Sequence, residues 1–311
     1  MQKEKAQDII LDLKTRNCIS RDSRVFSDGD YVYIPLAGDY QLAIAGAEVV
    51  EIEPRLPPHQ SIPQAIKGSY DRIGDIAIIK VKDQKLAAAL GNAIIEAGSG
   101  VKSVWMDSGI HGEYRTRQLK WLAGDKKTLA IHTENQTRFL LDISKVYFSP
   151  RLATERMRLA RKVRDGEYII DMFAGIGPFA IIIAKLRNVE ITCIDSNPDA
   201  IKFMEESIRL NKLKGQIMPV LSKAETIMPK LPKADRIIMN LPHQSMNFID
   251  TAKATLKDDG TIHLYIIGSV SETEENMEKI RNAGLTVIDK RIVHGYSPAE
   301  SLVSLSLRKT L

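Results

Sequence analysis

The stretch GEYIIDMFAGIGPFA, residues 166–180, decides the fold. In it an apolar, β-branched run ends at Asp171, Gly175 and Gly177 follow, and the spacing of a helix begins after them. Glycine has no Cβ, so a turn built from it lets the backbone approach a ligand closely. The stretch therefore predicts a buried strand, a ligand-facing turn and a helix, in that order.

The same pattern repeats towards the C-terminus. Further apolar runs occupy residues 189–197, 215–222, 234–242 and 261–269, and segments with helical spacing occupy residues 177–188, 198–213, 244–260 and 271–284. Pro198 is placed to begin a helix, whereas Gly260 and Gly284 are placed to end two others. This alternation predicts a doubly wound, parallel α/β sheet with its ligand at the carboxyl ends of the strands. Residues 285–309 offer two strands with no helix between them, which predicts an antiparallel hairpin at the sheet edge.

Upstream of residue 149 the pattern changes. A short amphipathic helix suits residues 3–16, a strand suits residues 29–36, and the four prolines within residues 53–74 indicate a linker or domain edge. A strand is then predicted over 75–81, a helix over 83–98, and several strands over 101–147 with turns at 125–128 and 134–137. We therefore predict two smaller α+β domains, residues 1–58 and 59–148, before a doubly wound domain at 149–311.

Composition and charge narrow the class of protein. No apolar run is long enough to cross a bilayer and the charged N-terminus lacks a signal-peptide core, so we expect a cytoplasmic protein without a membrane partner. Cys18 and Cys193 are far apart and no histidines show ligand spacing, so no metal is expected. Residues 102–165 hold fourteen Lys or Arg and seven Asp or Glu, whereas the whole chain has a formal net charge of +5. That segment is either a phosphate-binding surface or an ordinary solvated face.

The glycine turn indicates which ligand the sheet binds. Asp195 ends the next strand, where an acid typically binds the two hydroxyls of a ribose. The third glycine of a dinucleotide fingerprint is replaced by Ala180, so the pyrophosphate cradle is missing. A nucleoside without phosphates fits better, which favours S-adenosylmethionine over a dinucleotide. The alternative is a plain strand–helix turn with a solvated Asp195.

The segment MNLP, residues 239–242, ends the fourth strand beside the same cleft. The carboxamide of Asn240 offers a donor and an acceptor that can hold a purine edge, and Pro242 fixes the backbone around it. Enzymes that methylate exocyclic amines usually place a second proline and an aromatic residue here, where this chain has Leu241 and His243. A ring nitrogen is therefore the predicted target. Alternatively, Asn240 caps the following helix.

Several motifs occur together in one order: GEYR at 112–115, VYFSPRL at 146–152, TER at 154–156, DMFAGIGPF at 171–179 and MNLP. In these motifs, and over nearly its full length, the chain resembles the archaeal and eukaryotic family of tRNA (guanine-37, N1) methyltransferases. The resemblance implies a Rossmann-like methyltransferase sheet with an antiparallel edge hairpin, preceded by smaller RNA-binding domains. It also implies S-adenosylmethionine as the cofactor, tRNA as the partner, and a monomeric protein that needs no metal. The segment GDYVYIPL, residues 29–36, resembles the family's small N-terminal domain, which docks on the outer corner of tRNA.

The resemblance also implies residue roles. Glu155 corresponds to the proposed general base, Arg115 to the residue that offsets charge on guanine O6, and Asn240 with Pro242 to the residues that position the base. The implied cofactor-binding set is Arg156, Asp171, Phe173, Gly175, Gly177, Asp195, Ser196, Lys223, Ala224 and Asn240. The implied RNA-binding set is Arg115, Arg117, Lys145, Tyr147 and Arg151, with Tyr147 packing against anticodon-loop nucleotides.

Each of these roles has a structural alternative. Glu155 could pair with Arg158 or Arg151 on a solvated helix, and Arg115 and Arg117 could line a wet sheet surface. Adjacent Tyr147 and Phe148 must point to opposite faces of a strand, so one of them belongs to the core.

One departure from the family concerns the cofactor. The family places an acid near the adenine, where this chain has Lys223, which cannot accept a hydrogen bond. Either Glu225 or the backbone would then bind the adenine.

Two other functions stay open. A wybutosine-pathway relative would transfer the aminocarboxypropyl group of the same cofactor, but such relatives generally lack the NLP ending, so Asn240 and Pro242 argue against it. A bifunctional enzyme would also methylate a wyosine precursor. A catalytically silent tRNA-binding protein could retain the fold.

Overall fold

The computed structural model describes most of the chain after residue 69. The described residues are Ile9, Ile10, Leu13, Thr15, Cys18, Ile19, 25–28, 31–36, Val50, 70–81, 83–112, Tyr114 and 116–310. Most of the predicted domain 1–58 and of the segment 53–74 therefore lies outside the described residues, as do Glu113 and Arg115. No described helix is long and apolar enough to cross a membrane.

The described residues before 149 form small sheets. Strands β1 (Phe26–Asp28) and β2 (Tyr31–Tyr33) pair antiparallel. A four-stranded sheet follows in the order β3-β4-β5-β6, from Tyr70–Ile73, Ile76–Ile79, Ser103–His111 and Thr116–Gly124, with helix α1 (Gln84–Glu96) packed against β5 and β6. Strands β7 (Leu129–Glu134) and β8 (Thr137–Asp142) form a hairpin. Its turn residues, Asn135 and Gln136, have φ of 48° and 59°, as a tight hairpin turn requires.

A seven-stranded sheet makes up the rest of the molecule. Its strands are β9 (Tyr168–Asp171), β10 (Glu190–Asp195), β11 (Gln216–Leu221), β12 (Ala234–Met239), β13 (Leu256–Gly268), β14 (Leu285–Gly295) and β15 (Ser301–Lys309). In the order β11-β10-β9-β12-β13-β15-β14 the first five strands are parallel, and β15 is antiparallel to both of its neighbours. The predicted doubly wound sheet with an antiparallel edge hairpin is confirmed.

Helices connect the parallel strands. They are α2 (Ala153–Lys162), which precedes β9, and then α3 (Pro178–Leu186), α4 (Pro198–Arg209), α5 (Ala224–Ile227), α6 (Ile249–Thr255) and α7 (Val270–Asn282). Pro198 begins α4 and Gly284, with φ of 70°, follows the end of α7, as predicted.

The predicted helix end at Gly260 was wrong. Helix α6 ends at Thr255 and strand β13 already begins at Leu256. A Cβ on Gly260 would lie 2.7 Å from Leu256 Cδ1 and 3.1 Å from the carbonyl oxygen of Ala234. This glycine therefore permits close packing between two strands and does not cap a helix.

The β7–β8 hairpin packs on the large sheet's helices. The backbone N–H of Leu140 donates to Ser207 Oγ on α4 (3.0 Å), and Asn211 Nδ2 donates to the carbonyl of Arg138 (2.7 Å). The chain then runs through residues 145–149 to α2, close to the carboxyl ends of β9 and β10. The predicted domain boundary between residues 148 and 149 stays a prediction.

Candidate active site

The turn between β9 and α3 is fixed by both neighbouring strands. The backbone N–H of Met172 donates to the carbonyl of Ile238 on β12 (3.0 Å), and that of Ala174 donates to Ile194 on β10 (2.9 Å). Gly175 and Gly177 have φ of 56° and 73°, a left-handed conformation that favours glycine. The turn is therefore rigid at the centre of the sheet's carboxyl edge.

The two glycines face different surroundings. A Cβ on Gly175 would have the carbonyl oxygen of Tyr147, 3.9 Å away, as its nearest neighbour, so this side of the turn has room for a ligand. A Cβ on Gly177 would lie 2.8 Å from Met204 Cγ, where α3 packs against α4. The space next to Gly175 is therefore open to a ligand, whereas Gly177 allows α3 and α4 to pack closely in the core.

Asp195, at the end of β10, is tied to this turn. Its Oδ2 accepts from the backbone N–H of Gly175 (2.7 Å) and its Oδ1 from that of Asn197 (2.9 Å). Burial raises the pKa of Asp195 above its ordinary value, while the backbone N–H groups of Asn197, Gly175 and Ser196 act to lower it. A carboxylate has about four acceptor positions, so Asp195 keeps capacity for the hydroxyls of a ribose.

Asp171, at the end of β9, is the most perturbed acid of the site. It is 1% exposed, and no side chain of the described residues donates a hydrogen bond to either carboxylate oxygen. Burial and the Asp195 carboxylate raise the pKa of Asp171 to about 7, although the backbone N–H of Phe173 acts in the opposite direction. Asp171 is thus a buried acid with no side-chain partner, next to the glycine turn. Its carboxylate can balance the positive charges of S-adenosylmethionine.

The other predicted cofactor residues border the same edge. Phe173 packs edge-on against Phe248, with ring centroids 4.9 Å apart. The backbone N–H of Ser222 donates to the carbonyl of Asp195 (3.1 Å), which brings Lys223 and Ala224, at the start of α5, next to β10. Ser196 follows Asp195 directly. Contact of each residue with the cofactor stays a prediction.

Arg156 is buried and held by an acid on β7, and its predicted contact with the cofactor stays a prediction. Its Nε and Nη2 donate to the two carboxylate oxygens of Glu134 (2.6 and 2.7 Å), and Nη2 also donates to the carbonyl of Ser149 (2.9 Å). The guanidinium lies over the Phe148 ring at 4.9 Å. Arg156 therefore joins β7 to the segment before α2. The sequence showed the basic residue but not its buried acid, which is 22 positions away.

Arg117 is also buried and paired, and its predicted contact with RNA stays a prediction. Its Nη1 donates to Asp107 (2.6 Å) and its Nη2 to the carbonyl of Phe148 (3.0 Å). The guanidinium lies 5.1 Å from the ring centroid of Tyr147. Tyr147 is 41% exposed, whereas Phe148 is in the core, so the predicted division between these neighbours is confirmed.

The remaining described RNA candidates are on the surface. Lys145 pairs with Asp199 on α4 (3.2 Å), and its carbonyl accepts from Asn197 Nδ2 (3.0 Å). Arg151 pairs with Asp71 on β3 (2.7 Å). Both side chains are about half exposed, so phosphates can reach them.

Glu155 is buried and held by two elements. Arg158 Nε donates to its Oε2 (2.7 Å), Arg158 Nη2 donates to its Oε1 (2.6 Å), and the hydroxyl of Tyr265 donates to Oε1 (2.9 Å). The alternative of an Arg158 partner is thus confirmed, although on a buried face. Tyr265 is not among the residues predicted from the sequence. A tyrosine inside an apolar strand was the available signal, because a buried hydroxyl needs a partner.

The turn after β12 holds Asn240 in place. Ser245 is fully buried; its Oγ donates to the carbonyl of Met239 (3.2 Å) and accepts from the N–H of Leu241 (3.1 Å). The backbone N–H of Ile267 on β13 donates to the carbonyl of Pro242 (3.4 Å). The next helical turn begins only after Gln244, so Asn240 does not cap it. Ser245 was missed because a serine after a turn carries no distinctive sequence signal.

Strand register connects Glu155 with Asn240. Met239 pairs with Leu264 across β12 and β13, so the next residues, Asn240 and Tyr265, are level with each other. Through Tyr265 the structure brings Glu155 to the edge that carries Asn240 and the glycine turn. Among the described residues, no group of three His, Cys, Asp or Glu side chains is arranged to hold a metal ion.

Comparison with known proteins gives three matching family models. The TRM5/TYW2 methyltransferase domain matches residues 130–292, the TYW2 N-terminal domain matches 57–128, and the tRNA methyltransferase 5 N-terminal domain matches 2–41.

Individual relatives match most of the chain. The tRNA (guanine(37)-N(1))-methyltransferase Trm5b of Pyrococcus abyssi is 39% identical over 92% of this chain and 90% of its own length. The tRNA 4-demethylwyosine(37)-methyltransferase Taw21 of Saccharolobus solfataricus is 33% identical over 76% of this chain and 92% of its own length. A solved complex of aTrm5 with tRNALeu superposes with a TM-score of 0.76 at 32% identity, covering 100% of this chain and 98% of that one.

Proposed function

The chain belongs to the TRM5/TYW2 methyltransferase family, and from that premise we propose that it methylates N1 of guanosine 37 of tRNA, next to the anticodon. One structural observation carries the proposal. The glycine turn with Asp171 and Asp195, the turn with Asn240, and Glu155 held by Tyr265 lie at the same edge of one parallel sheet. A nucleoside cofactor and a purine can therefore meet there.

The cofactor side of this edge fits S-adenosylmethionine. When bound, S-adenosylmethionine supplies the methyl group that is transferred. Asp195 offers acceptors for its ribose, and Asp171 becomes more readily ionised beside its positive charge. Gly175 leaves the space that the cofactor would occupy.

The substrate side must remove a proton. Guanine N1 carries a proton at neutral pH, so methylation needs a base within roughly 2.6–3.2 Å of it. Glu155 is the carboxylate we assign to this step, with Asn240 and Pro242 holding the purine and Arg115 offsetting charge that develops on O6. Guanosine 37 must leave its stack to enter the site, because an enzyme cannot reach a base atom inside stacked RNA.

Surface residues near the edge would hold the RNA. The exposed ring of Tyr147 can stack on a nucleobase, which is worth about 1–3 kcal/mol per base. Lys145 and Arg151 present their charges to the phosphates. The same proposal assigns tRNA docking to residues 1–58, RNA and substrate binding to 59–148 and methyl transfer to 149–311, in a monomer that acts in the cytoplasm.

Nucleoside mass spectrometry tests the proposal directly. Unmodified tRNA transcript incubated with the protein and S-adenosylmethionine should yield 1-methylguanosine, and a transcript with adenosine at position 37 should not. Glu155→Gln should lower the single-turnover rate about 100-fold, the usual lower range for a general base, with unchanged tRNA binding.

A second, partly buried carboxylate supplies the matched control. Glu167 is also held by two donors of one arginine, Arg236 (2.8 and 2.9 Å), but at the opposite edge of the sheet. Glu167→Gln should keep the wild-type rate. An unmodified guanosine 37 would refute the proposed function, and an unchanged rate in Glu155→Gln would refute its assignment as the base.

A second candidate function has specific support. Residues 57–128 match the TYW2 N-terminal domain, and Taw21 is a 4-demethylwyosine methyltransferase. The chain could therefore transfer an aminocarboxypropyl group, or methylate a wyosine precursor, at the same nucleotide. Mass spectrometry on tRNA that carries 4-demethylwyosine distinguishes these outcomes, because it reports the group that is transferred and the base that receives it.

A further inference from the structure

The hydroxyl of Tyr265 is a buried polar group that the proposed function does not yet use. The Tyr265 side chain is fully buried, and its ring packs against Phe179 of α3 at 5.5 Å. Burial, together with the Glu155 carboxylate, raises the pKa of Tyr265 well above its ordinary value. The hydroxyl therefore stays protonated and donates a hydrogen bond of 2.9 Å to Glu155 Oε1.

The donors around Glu155 leave one acceptor position open. A carboxylate offers about four lone-pair positions, two on each oxygen. Arg158 Nη2 and the Tyr265 hydroxyl occupy both positions of Oε1, and Arg158 Nε occupies one position of Oε2. The second position of Oε2 is the one that can accept a further proton.

We propose that Tyr265 is a positioning residue for the proton-transfer step: with Arg158 it orients Glu155 so that Oε2 takes the N1 proton of guanine. This inference rests on the proposed function. In the step, the N1–H bond breaks, an O–H bond forms at Oε2, and the electron pair stays on N1 for attack on the methyl carbon. Tyr265 keeps its own proton throughout.

A second acid lies beside Arg158 and stays there when Glu155 accepts the proton. Arg158 also faces Asp289 on β14, with Nη1 and Oδ2 3.6 Å apart, and Lys162 binds the same oxygen (2.7 Å). Arg158 Nη2 lies 3.4 Å from Ser304 Oγ on β15. When Glu155 becomes neutral, Arg158 therefore keeps an anionic partner.

One more titratable side chain is close to this cluster. Burial, and then the charges of Arg236, Arg158 and Lys162, lower the pKa of His263 well below its ordinary value. His263 therefore stays neutral and adds no charge that titrates near neutral pH. The charged groups around Glu155 are then Arg158 and, behind it, the pair of Asp289 and Lys162.

The Tyr265→Phe variant removes the hydroxyl and keeps the ring packing. The rate of single-turnover methyl transfer would be measured between pH 5 and pH 9 with both substrates saturating. The affinities for tRNA and S-adenosylmethionine and the thermal unfolding temperature would be measured on the same protein. We expect a rate about ten-fold lower at neutral pH with both affinities unchanged. The hydroxyl stabilises the charged carboxylate, so its loss should move the acid limb of the pH–rate profile to higher pH, by about half a unit.

Tyr168→Phe is the matched control. Tyr168 lies on β9 of the same sheet, and its hydroxyl is hydrogen-bonded to Thr192 Oγ1 (3.0 Å), away from Glu155. We expect a wild-type rate and pH profile for this variant.

Two results would overturn the inference while leaving the proposed function intact. The first is a Tyr265→Phe protein that matches wild type in rate and pH profile. The second is a variant with weakened folding and weakened binding of both ligands but an unmoved acid limb, which would make Tyr265 merely structural. If the wild-type protein itself leaves guanosine 37 unmodified, the proposed function fails, and the guanine proton step fails with it.

Discussion

At the scale of single residues, the charges near the site divide into two groups. Arg117 and Arg156 are buried, and each binds a carboxylate and a backbone carbonyl in the segment 147–149. Removing one partner of such a buried pair typically costs about 3–5 kcal/mol, because the other charge stays buried alone. These arginines therefore fix the segment, whereas Lys145, Tyr147 and Arg151 are the exposed residues to which we assign RNA contacts.

Asp171 gives a prediction about pH. Its pKa is about 7 in the folded protein, against an ordinary value of 3.8, so between these limits the folded state holds a proton that the unfolded chain has released. Stability must then fall as pH rises through that range, by at most about 1.4 kcal/mol per pH unit. We expect the unfolding temperature of the cofactor-free wild-type protein to fall from pH 5 to pH 8. The fall should be shallower in Asp171→Asn, and at pH 8 this variant should be more stable than wild type.

Cofactor binding should show the opposite trend. The positive charge of S-adenosylmethionine favours ionised Asp171, so wild-type affinity should rise from pH 6 to pH 8. Affinity of Asp171→Asn should be weaker and nearly independent of pH, as isothermal titration calorimetry would show. Equal pH slopes in the two proteins would contradict the assignment of Asp171 to the cofactor site.

At the scale of elements, the β9–α3 turn offers a comparison of two glycines. Gly175 and Gly166 both have positive φ, of 56° and 83°, and a Cβ on either would meet no crowding. Alanine at each position should therefore cost a similar amount of stability, about 1–2 kcal/mol for the left-handed conformation. Only Gly175→Ala places its methyl group in the proposed cofactor space, so it alone should weaken S-adenosylmethionine binding, about ten-fold or more.

Chemical denaturation and calorimetry on both variants check this prediction. Equal cofactor affinities for Gly175→Ala and Gly166→Ala would show that the turn does not line the cofactor site. A much larger loss of stability in Gly175→Ala would show instead that the added methyl group disrupts the turn itself.

Elements were largely predictable from the sequence because each reflects a local pattern. The apolar run before Asp171 and the proline before Asp199 specify β9 and the start of α4 without reference to distant residues. Gly260 was misread because its role depends on the backbone of Ala234, which lies 26 positions earlier in the chain. A glycine signals a special backbone position, but the sequence does not show whether that position is a cap or a close contact.

At the scale of the whole molecule, the sequence predicted which strand ends carry the site but not which side chains pair across it. Asp171, Asp195 and Asn240 follow from strand boundaries, since parallel strands meet at one edge. The partners of Arg117, Arg156 and Glu155 depend on how separate elements pack, and Tyr265 is 110 positions from Glu155. Arg115 lies outside the described residues, so its role rests on the family resemblance.

Fewer basic side chains of segment 102–165 are available to bind phosphates than its composition indicated. Three of its arginines, Arg117, Arg156 and Arg158, are engaged with buried carboxylates. The segment is therefore neither a uniform phosphate-binding surface nor merely a solvated face. Exposed members such as Lys145 and Arg151 are the ones that remain available to RNA.

The salt dependence of tRNA binding tests which basic residues contact phosphates. Each phosphate contact contributes about 0.7–0.9 to the slope of log affinity against log salt concentration, because binding releases condensed counterions. We expect a steep decrease in affinity for wild type between 50 and 200 mM salt, on the order of ten-fold or more.

Lys145→Ala should lower the slope by about 1. Lys230→Ala, an exposed lysine just before β12 at the opposite edge, should leave the slope unchanged, because that edge lies away from the proposed RNA path. Fluorescence anisotropy with labelled tRNA measures both slopes, and a flat wild-type response, or equal slopes for the two variants, would exclude residues 145–151 as the docking surface.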